Sequence, residues 1–338
     1  MRLVLARPGE SPADLPSAEL LAEAAAISGR FPDARVRACS LLRLPEGDAP
    51  AHGRVWLALE SLQVTGSFKV RGALFALSRL AAEGAKAVVA ASAGNHGAGV
   101  AYAANVLDMD ATVVVPRVAP EAKRDRISSY GARLVVSQSA GYDDAEREAR
   151  ELAASMKLPF VSPYDDVAIV AGNGGSLGLE IAKALGREPA VVIAPFGGGG
   201  LATGLACALR SSRVFGAQSE ASAAFAMSLE RGEAVEHLDA AETLADGLEG
   251  GISRGAFERA RAVVAGVAVV SEQAIAKAMA RAYRSLGMAI EGSAAAAVAP
   301  LLERDLPEPM RPAKGGDLVI VLTGRNVDRA RLESVLGA

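Results

Sequence analysis

Short apolar runs rich in Val, Ile and Ala alternate along the chain with longer Ala/Leu/Glu/Arg stretches of helical period, the pattern of βαβ units around parallel sheets. The pattern predicts strands at 54–59, 86–92, 111–116, 133–137, 159–161, 190–195, 214–219 and 317–323. Helices are predicted in the gaps, notably at 143–157, 271–285 and 291–304, and a Pro- and Gly-containing surface loop at 44–53. No fixed-period repeat or low-complexity tract interrupts this order. The longest apolar stretches, 262–270 and 293–302, fall short of the roughly 18 residues of a membrane helix. The N-terminal MRLVLARPGE reaches Arg7, Pro8 and Glu10 before an export signal could form, so a cytoplasmic protein is expected.

A chain of 338 residues divides, at about 150 residues per domain, into two domains with a cleft between them. The self-sufficient βα units of residues 87–162 are expected to form the smaller domain, and residues 1–86 with 163–338 the larger one. A charged fraction of 22% against 51% hydrophobic residues excludes a disordered chain. The net charge of −3 offers no basic surface for nucleic acid or anionic lipid. Cys39 and Cys207 lie far apart without metal-ligand spacing, and two buried thiols in a reducing compartment are expected.

The chemistry is concentrated in three Gly-containing turns. Gly197, Gly198, Gly199 and Gly200 follow a predicted strand and precede a helical stretch, where backbone N–H groups and the helix dipole can cradle a phosphate. A tight strand–helix turn would need only one or two glycines. The G-x-G-x-x-G register fails at Ala202 and Thr203, although Glu220 at the end of the next strand keeps a nicotinamide cofactor in view. The second turn, Ser92, Ala93, Gly94, Asn95, His96 and Gly97, also opens a helix and could hold a carboxylate, while Ser92 and Asn95 read equally as capping residues. His52, His96 and His237 assemble no triad or metal cluster. Lysine is scarce, seven against 29 arginines, and Lys69 stands beside Phe68 at a helix start whose dipole disfavours a cation. An amine so placed has reason to be deprotonated and to form an imine.

GSFKVRGA, SAGNHGAGVA, PFGGGGLATG and LTGRNVD occur in the order and spacing of fold-type II pyridoxal-phosphate enzymes. Residues 17–328 resemble their threonine/serine dehydratase and serine racemase branch. The resemblance implies a two-domain, tryptophan-synthase-β-like α/β fold with parallel sheets flanked by helices, pyridoxal 5'-phosphate as cofactor, a small amino acid as substrate and a homodimer. By resemblance Lys69 carries the cofactor beside Phe68, and Asn95 contacts the ring hydroxyl. Gly197, Gly198, Gly199, Gly200 and Leu201 hold the phosphate, Thr323 faces the pyridine nitrogen, and the turn of Ser92, Ala93, Gly94, Asn95 and His96 receives the substrate carboxylate. A hydroxyl at Thr323 holds a pyridinium proton less well than a carboxylate, which favours β-elimination over transamination. The expected activity is that of an ammonia-lyase, turning a β-hydroxy-α-amino acid into a 2-oxo acid and ammonia. The alternatives are a serine-racemase-like isomerase, a β-replacement synthase of the cysteine synthase type and, from another class, a non-catalytic nucleotide-binding scaffold.

Several positions depart from the family pattern. Ala58 stands where a lysine is common, residues 38–42 (ACSLL) replace Thr-Pro-Leu, Ser162 to Val167 (SPYDDV) replace an H-P-(F/N)-x-x-P stretch, and Gly172-Asn173-Gly174-Gly175 carries one extra residue. These changes are expected near the substrate mouth and allow a bulkier or differently charged substrate. Gln218 and Ala224 occupy the positions of two acidic cation ligands, so no metal site is expected. Ala93 replaces the serine that serves serine racemases as the opposite-face acid. Valine at Gly198 is expected to weaken cofactor binding more than stability. The chain closes with a short helix after Asp328, and an appended regulatory domain is expected to be absent.

Overall fold

The fold is that of a computed structural model, which describes residues 1–6, 14–45, 53–139, 141–238, 241–303 and 305–337. Among the described residues ten strands form two sheets: β1 (Arg2–Leu5), β2 (Leu41–Arg43), β3 (Arg54–Ala58), β4 (Ala87–Ala91), β5 (Asp110–Val115), β6 (Arg133–Val136), β7 (Val191–Pro195), β8 (Arg213–Ser219), β9 (Gly266–Val270) and β10 (Asp317–Val321). The larger sheet has the order β1-β9-β8-β7-β10-β3-β2, and the smaller the order β4-β5-β6. Every residue of β7, β9 and β10 is buried, because helices cover both faces of the large sheet and the strands must read as continuous apolar runs. The edge strands β1 and β2 pair antiparallel, whereas the five strands between them and the whole small sheet are parallel.

The predicted strands match to within a residue or two, except for 159–161, where Phe160 makes only a single parallel bridge to Val89. β1, β2 and β9 are additional strands. The predicted helices are present at Tyr142–Met156 and Glu272–Leu286. The third runs from Gly292 to Val298 and then tightens over Ala299–Leu302, where Pro300 supplies no amide hydrogen; its predicted last residue, 304, lies outside the described residues. Residues 46–52 of the predicted loop, with His52, also lie outside them.

Helix Tyr142–Met156 shows how patterning becomes packing. Ala145, Ala149 and Ala153 recur every four residues and bury against Val89, Ala91 and Val114 of the small sheet. Its opposite face carries the exposed Arg147–Asp144 and Arg147–Glu151 pairs. The extra residue at 172–175 is accommodated by a π-helical turn, Ala171–Gly175, inside an otherwise continuous helical segment. Asn173 on that turn accepts a hydrogen bond from the Gly72 amide at 2.9 Å, and a Cβ at Gly172 would lie 2.6 Å from Gly72 Cα. The insertion thus locks the turn against the helix that begins at Lys69. Among the described residues no helix is long and apolar enough to cross a membrane.

Candidate active site

The three Gly-containing turns all leave the C-terminal ends of parallel strands, the edge at which open α/β sheets bind ligands. β3 continues through the turn Glu60–Leu62 and the corner at 65–68 into helix Lys69–Ala82. The corner requires Gly66 (φ 76°), since a Cβ there would also meet the Asn326 side chain. Ser67 pairs with Gly324, and the Phe68 amide donates to Thr323 O at 3.0 Å, so the lysine and the end of β10 are held as one unit. Below the lysine, buried Arg71 makes a two-pronged ion pair with fully buried Glu60 (2.7 and 2.9 Å) and another with Glu180 (2.8 Å). This fixes where the helix starts.

Lys69 is partly buried, with Nζ donating to Pro163 O at 3.3 Å and lying 5.3 Å from the Phe68 ring centroid. Burial lowers its pKa to about 8, with the Glu291 carboxylate opposing the shift. At pH 7 about one amine in ten is then neutral, against about one in 3,000 for an ordinary lysine. The predicted deprotonated amine has its physical cause here in desolvation.

The second turn is more strongly engaged with protein than the sequence indicates. Ser92 Oγ accepts from the Gly94 amide at 3.0 Å and shapes the turn. Ala93 and Gly94 precede helix Asn95–Val106, whose first N–H groups have no carbonyl in the preceding turn. Asn95 Nδ2 donates to both carboxylate oxygens of Glu291 at 3.0 Å, and its Oδ1 accepts from Asn326 Nδ2 at 2.7 Å. Asn326 Nδ2 also donates to Thr65 O at 3.0 Å, completing a chain that links the lysine turn to the Ser92–His96 turn. His96 Nε2 sits 3.0 Å from Val161 O and must donate to it, leaving a neutral ring with Nδ1 as a buried acceptor. Burial and the Lys69 charge depress its pKa to about 3, so His96 carries no proton as an acid at physiological pH.

Sequence reasoning missed Glu291 and Asn326. Glu291 is buried, and burial raises its pKa to about 7. A Cβ on Gly324 would lie 2.5 Å from its carboxyl carbon, so the glycine after Thr323 makes room for this carboxyl. The available signal was a lone acid at the head of the apolar stretch 291–302, since buried carboxylates are rare without a task.

In the third turn Gly199 (φ 84°) precedes helix Gly200–Ala208, and Leu201 is buried in the core behind it. The Tyr164 ring covers the loop: a Cβ on Gly198 would meet its Cγ and Cδ1 at 2.5 Å. This corrects the reasoning about Gly198, because valine there would displace Tyr164 and disturb packing together with any phosphate site. Gly200 is the cleaner probe, its nearest neighbour being Tyr164 Cα at 3.5 Å. Gly200→Ala is expected to leave stability equal or raised by up to about 1 kcal/mol. It is expected to weaken pyridoxal-phosphate binding about tenfold or more by crowding the phosphate, as read by cofactor titration of the apo protein.

Other departing residues are occupied by the fold. Asp165 accepts from Ser253 Oγ at 2.5 Å and pairs with Arg259, and Asp166 caps the Ala168 amide at 2.7 Å. Both carboxylates are therefore engaged by protein groups. Ala58 is fully buried in β3, and residues 41–43 form β2. Gln218 is buried with Oε1 accepting from the Ala226 amide at 3.1 Å, tying β8 to the following helix.

Two hydroxyls of this region, Thr323 Oγ1 and Ser67 Oγ, are buried without any hydrogen-bond partner. Buried donors are normally satisfied, so an orphaned Thr323 at a strand end beside a neutral-prone lysine and a glycine-lined helix start fits a bound aromatic heterocycle carrying a phosphate. The class that this fold and site point to is a vitamin-B6 enzyme. The chain belongs to the pyridoxal-phosphate dependent enzyme family, whose model matches residues 35–324. That match removes the nicotinamide alternative. The chain is 35% identical over 293 residues to an L-threonine ammonia-lyase of Thermotoga maritima, covering 84% of this chain and 70% of that protein. Its structure resembles the processed form of threonine deaminase isoform 2 from Solanum lycopersicum (TM-score 0.84, 27% identity, 99% of this chain and 96% of that one). It also resembles maize serine racemase (TM-score 0.83, 27% identity, 94% of this chain and 96% of that one).

Proposed function

We propose that the protein eliminates water from a β-hydroxy-α-amino acid of the serine or threonine type, giving a 2-oxo acid and ammonia. The observation that carries this reading is the buried, unpartnered Thr323 hydroxyl, held through the backbone beside Phe68 and Lys69. When bound, pyridoxal 5'-phosphate supplies an electron sink of moderate strength above a neutral hydroxyl partner, which suits loss of a β-substituent. Lys69 Nζ, with its lowered pKa, takes the proton from Cα as general base. The N–H groups at the start of helix Asn95–Val106 hold the substrate carboxylate, and the chain Thr65–Asn326–Asn95–Glu291 keeps that turn in register with the lysine. Gly197 to Leu201 hold the phosphate at the head of their helix. The names of the Thermotoga and tomato relatives support the same reaction.

The domain division at residues 87–162, a cytoplasmic location and a homodimer belong to this reading. So does elimination without a divalent cation, supported by the protein contact that occupies Gln218. A racemase needs an acid on the cofactor face opposite Lys69, and Ala93 offers only a methyl group where serine racemases resemble this turn. The test is to assay L-serine and L-threonine in a chelator, following keto acid and D-amino acid together. Keto-acid release at least about a hundredfold faster than inversion is expected, with inversion rising in Ala93→Ser. Dominant D-amino acid formation by the unmodified protein would replace the lyase reading with the isomerase.

A further inference from the structure

One ion pair joins the two sheet systems at the rim of this site. Lys123 lies on helix Glu121–Ser129, packed with the small sheet, and its Nζ reaches Asp246 Oδ2 at 2.6 Å. Asp246 opens the short turn Asp246–Leu248, which belongs to the large-sheet side. Neither side chain is a freely solvated one, with exposures of 24% and 37%. Another contact between the same parts, His237 Nδ1 with Asp143 Oδ2, is 3.4 Å long with both side chains mostly exposed, and such surface pairs contribute little.

The turn that Lys123 grips is coupled to the site in three ways. Gly247 N donates to Ser293 Oγ at 3.1 Å, two residues beyond Glu291. The Gly247 carbonyl approaches the phosphate loop so closely that a Cβ on Gly197 would lie 3.3 Å from it. Ser222 Oγ donates to Leu248 O at 3.3 Å, fixing the turn's far end to the loop after β8. Burial raises the pKa values of Glu249 and Glu291 and Asp246 adds to both shifts, while Lys123 opposes both, joined at Glu249 by Arg331. Removing the lysine would withdraw the small-domain cation from three carboxylates, Asp246, Glu249 and Glu291, all on the large-sheet side of the cleft.

We propose that Lys123 is a positioning residue for the reaction: its ion pair with Asp246 draws the small domain onto the Asp246–Leu248 turn and holds the cleft closed over bound amino acid. The proposal rests on the elimination reading and the domain division above. A surface pair with no such role would, when broken, leave the cleft and substrate affinity unchanged.

The experiment uses the cofactor-loaded protein. Lys123→Met and Asp246→Asn are each expected to raise KM for the amino acid about tenfold with kcat changed less than about threefold. Amide hydrogen exchange in residues 121–129 and 244–249 should rise in both variants, a readout that does not depend on which substrate is turned over. The double variant should be no worse than either single one, and the exchanged pair Lys123→Asp with Asp246→Lys should recover most of the protection. Asp143→Asn, at the exposed pair, serves as the control and should change neither quantity. Unchanged exchange in Lys123→Met, fully additive effects in the double variant, or no recovery in the exchanged pair would overturn the proposal. If exchange responds as expected while no β-hydroxy amino acid is consumed, the elimination reading fails and the cross-cleft pair stands.

Discussion

Lys69→Ala is expected to lower keto-acid release by at least about four orders of magnitude, because one substitution removes both the cofactor anchor and the general base. The structure gives a reason why this loss is not a folding defect. Desolvation disfavours the Lys69 ammonium, and its pKa of about 8 means that the folded chain bears a penalty for holding the charge at pH 7. Alanine removes the penalty, and the helix it opens is anchored independently by Arg71 on Glu60 and Glu180. The variant should therefore melt no lower than the unmodified apo protein. It should also gain no mass when cofactor is added and borohydride applied, whereas the unmodified protein gains one covalently fixed pyridoxyl group at residue 69. Retention of more than about a hundredth of the activity, or fixation at another lysine, would remove Lys69 from its role.

How much of this was readable in advance follows from the range of each interaction. The central strands β7 and β10 are short continuous apolar runs bounded by turn residues, and local composition was enough to find them. β9 was lost because its five residues continue the apolar run that ends helix Arg254–Val263, so no polar residue marks the change from one period to the other. β1 and β2 are edge strands of four and three residues, too short to show an alternation. The site divides in the same way. Lys69, the glycine loop and the Ser92–His96 turn each carry their signal within a few neighbouring residues. Glu291 and Asn326 acquire meaning only from Asn95, which lies 196 and 231 positions away, and Tyr164 only from Gly198 beneath its ring. Those partners exist only once both sheets are assembled.

Glu291→Gln is expected to produce the other large effect, in stability and in pH dependence together. Burial lifts the Glu291 pKa from 4.5 to about 7. The folded chain therefore holds a proton that the unfolded chain has released between those two values, and stability falls as pH rises through that window. A shift of this size corresponds to about 3 kcal/mol by pH 7, with no further loss above it. Glutamine carries no proton to lose, so denaturant titrations of the apo protein at pH 4.5 and pH 8 should show this contribution in the unmodified chain and its absence in the variant. The gain is offset by poorer contact with Asn95, because a glutamine presents one acceptor where the carboxylate presents two to the same Nδ2. The variant also withdraws the negative charge that supports the Lys69 ammonium, so the lysine pKa should move below about 8. Capture of cofactor by the apo protein, which requires the neutral amine, should then reach its plateau at a lower pH than in the unmodified chain. An unchanged capture profile would separate Glu291 from the lysine, and an unchanged pH dependence of stability would mean that the carboxyl is not the buried, proton-holding group described above.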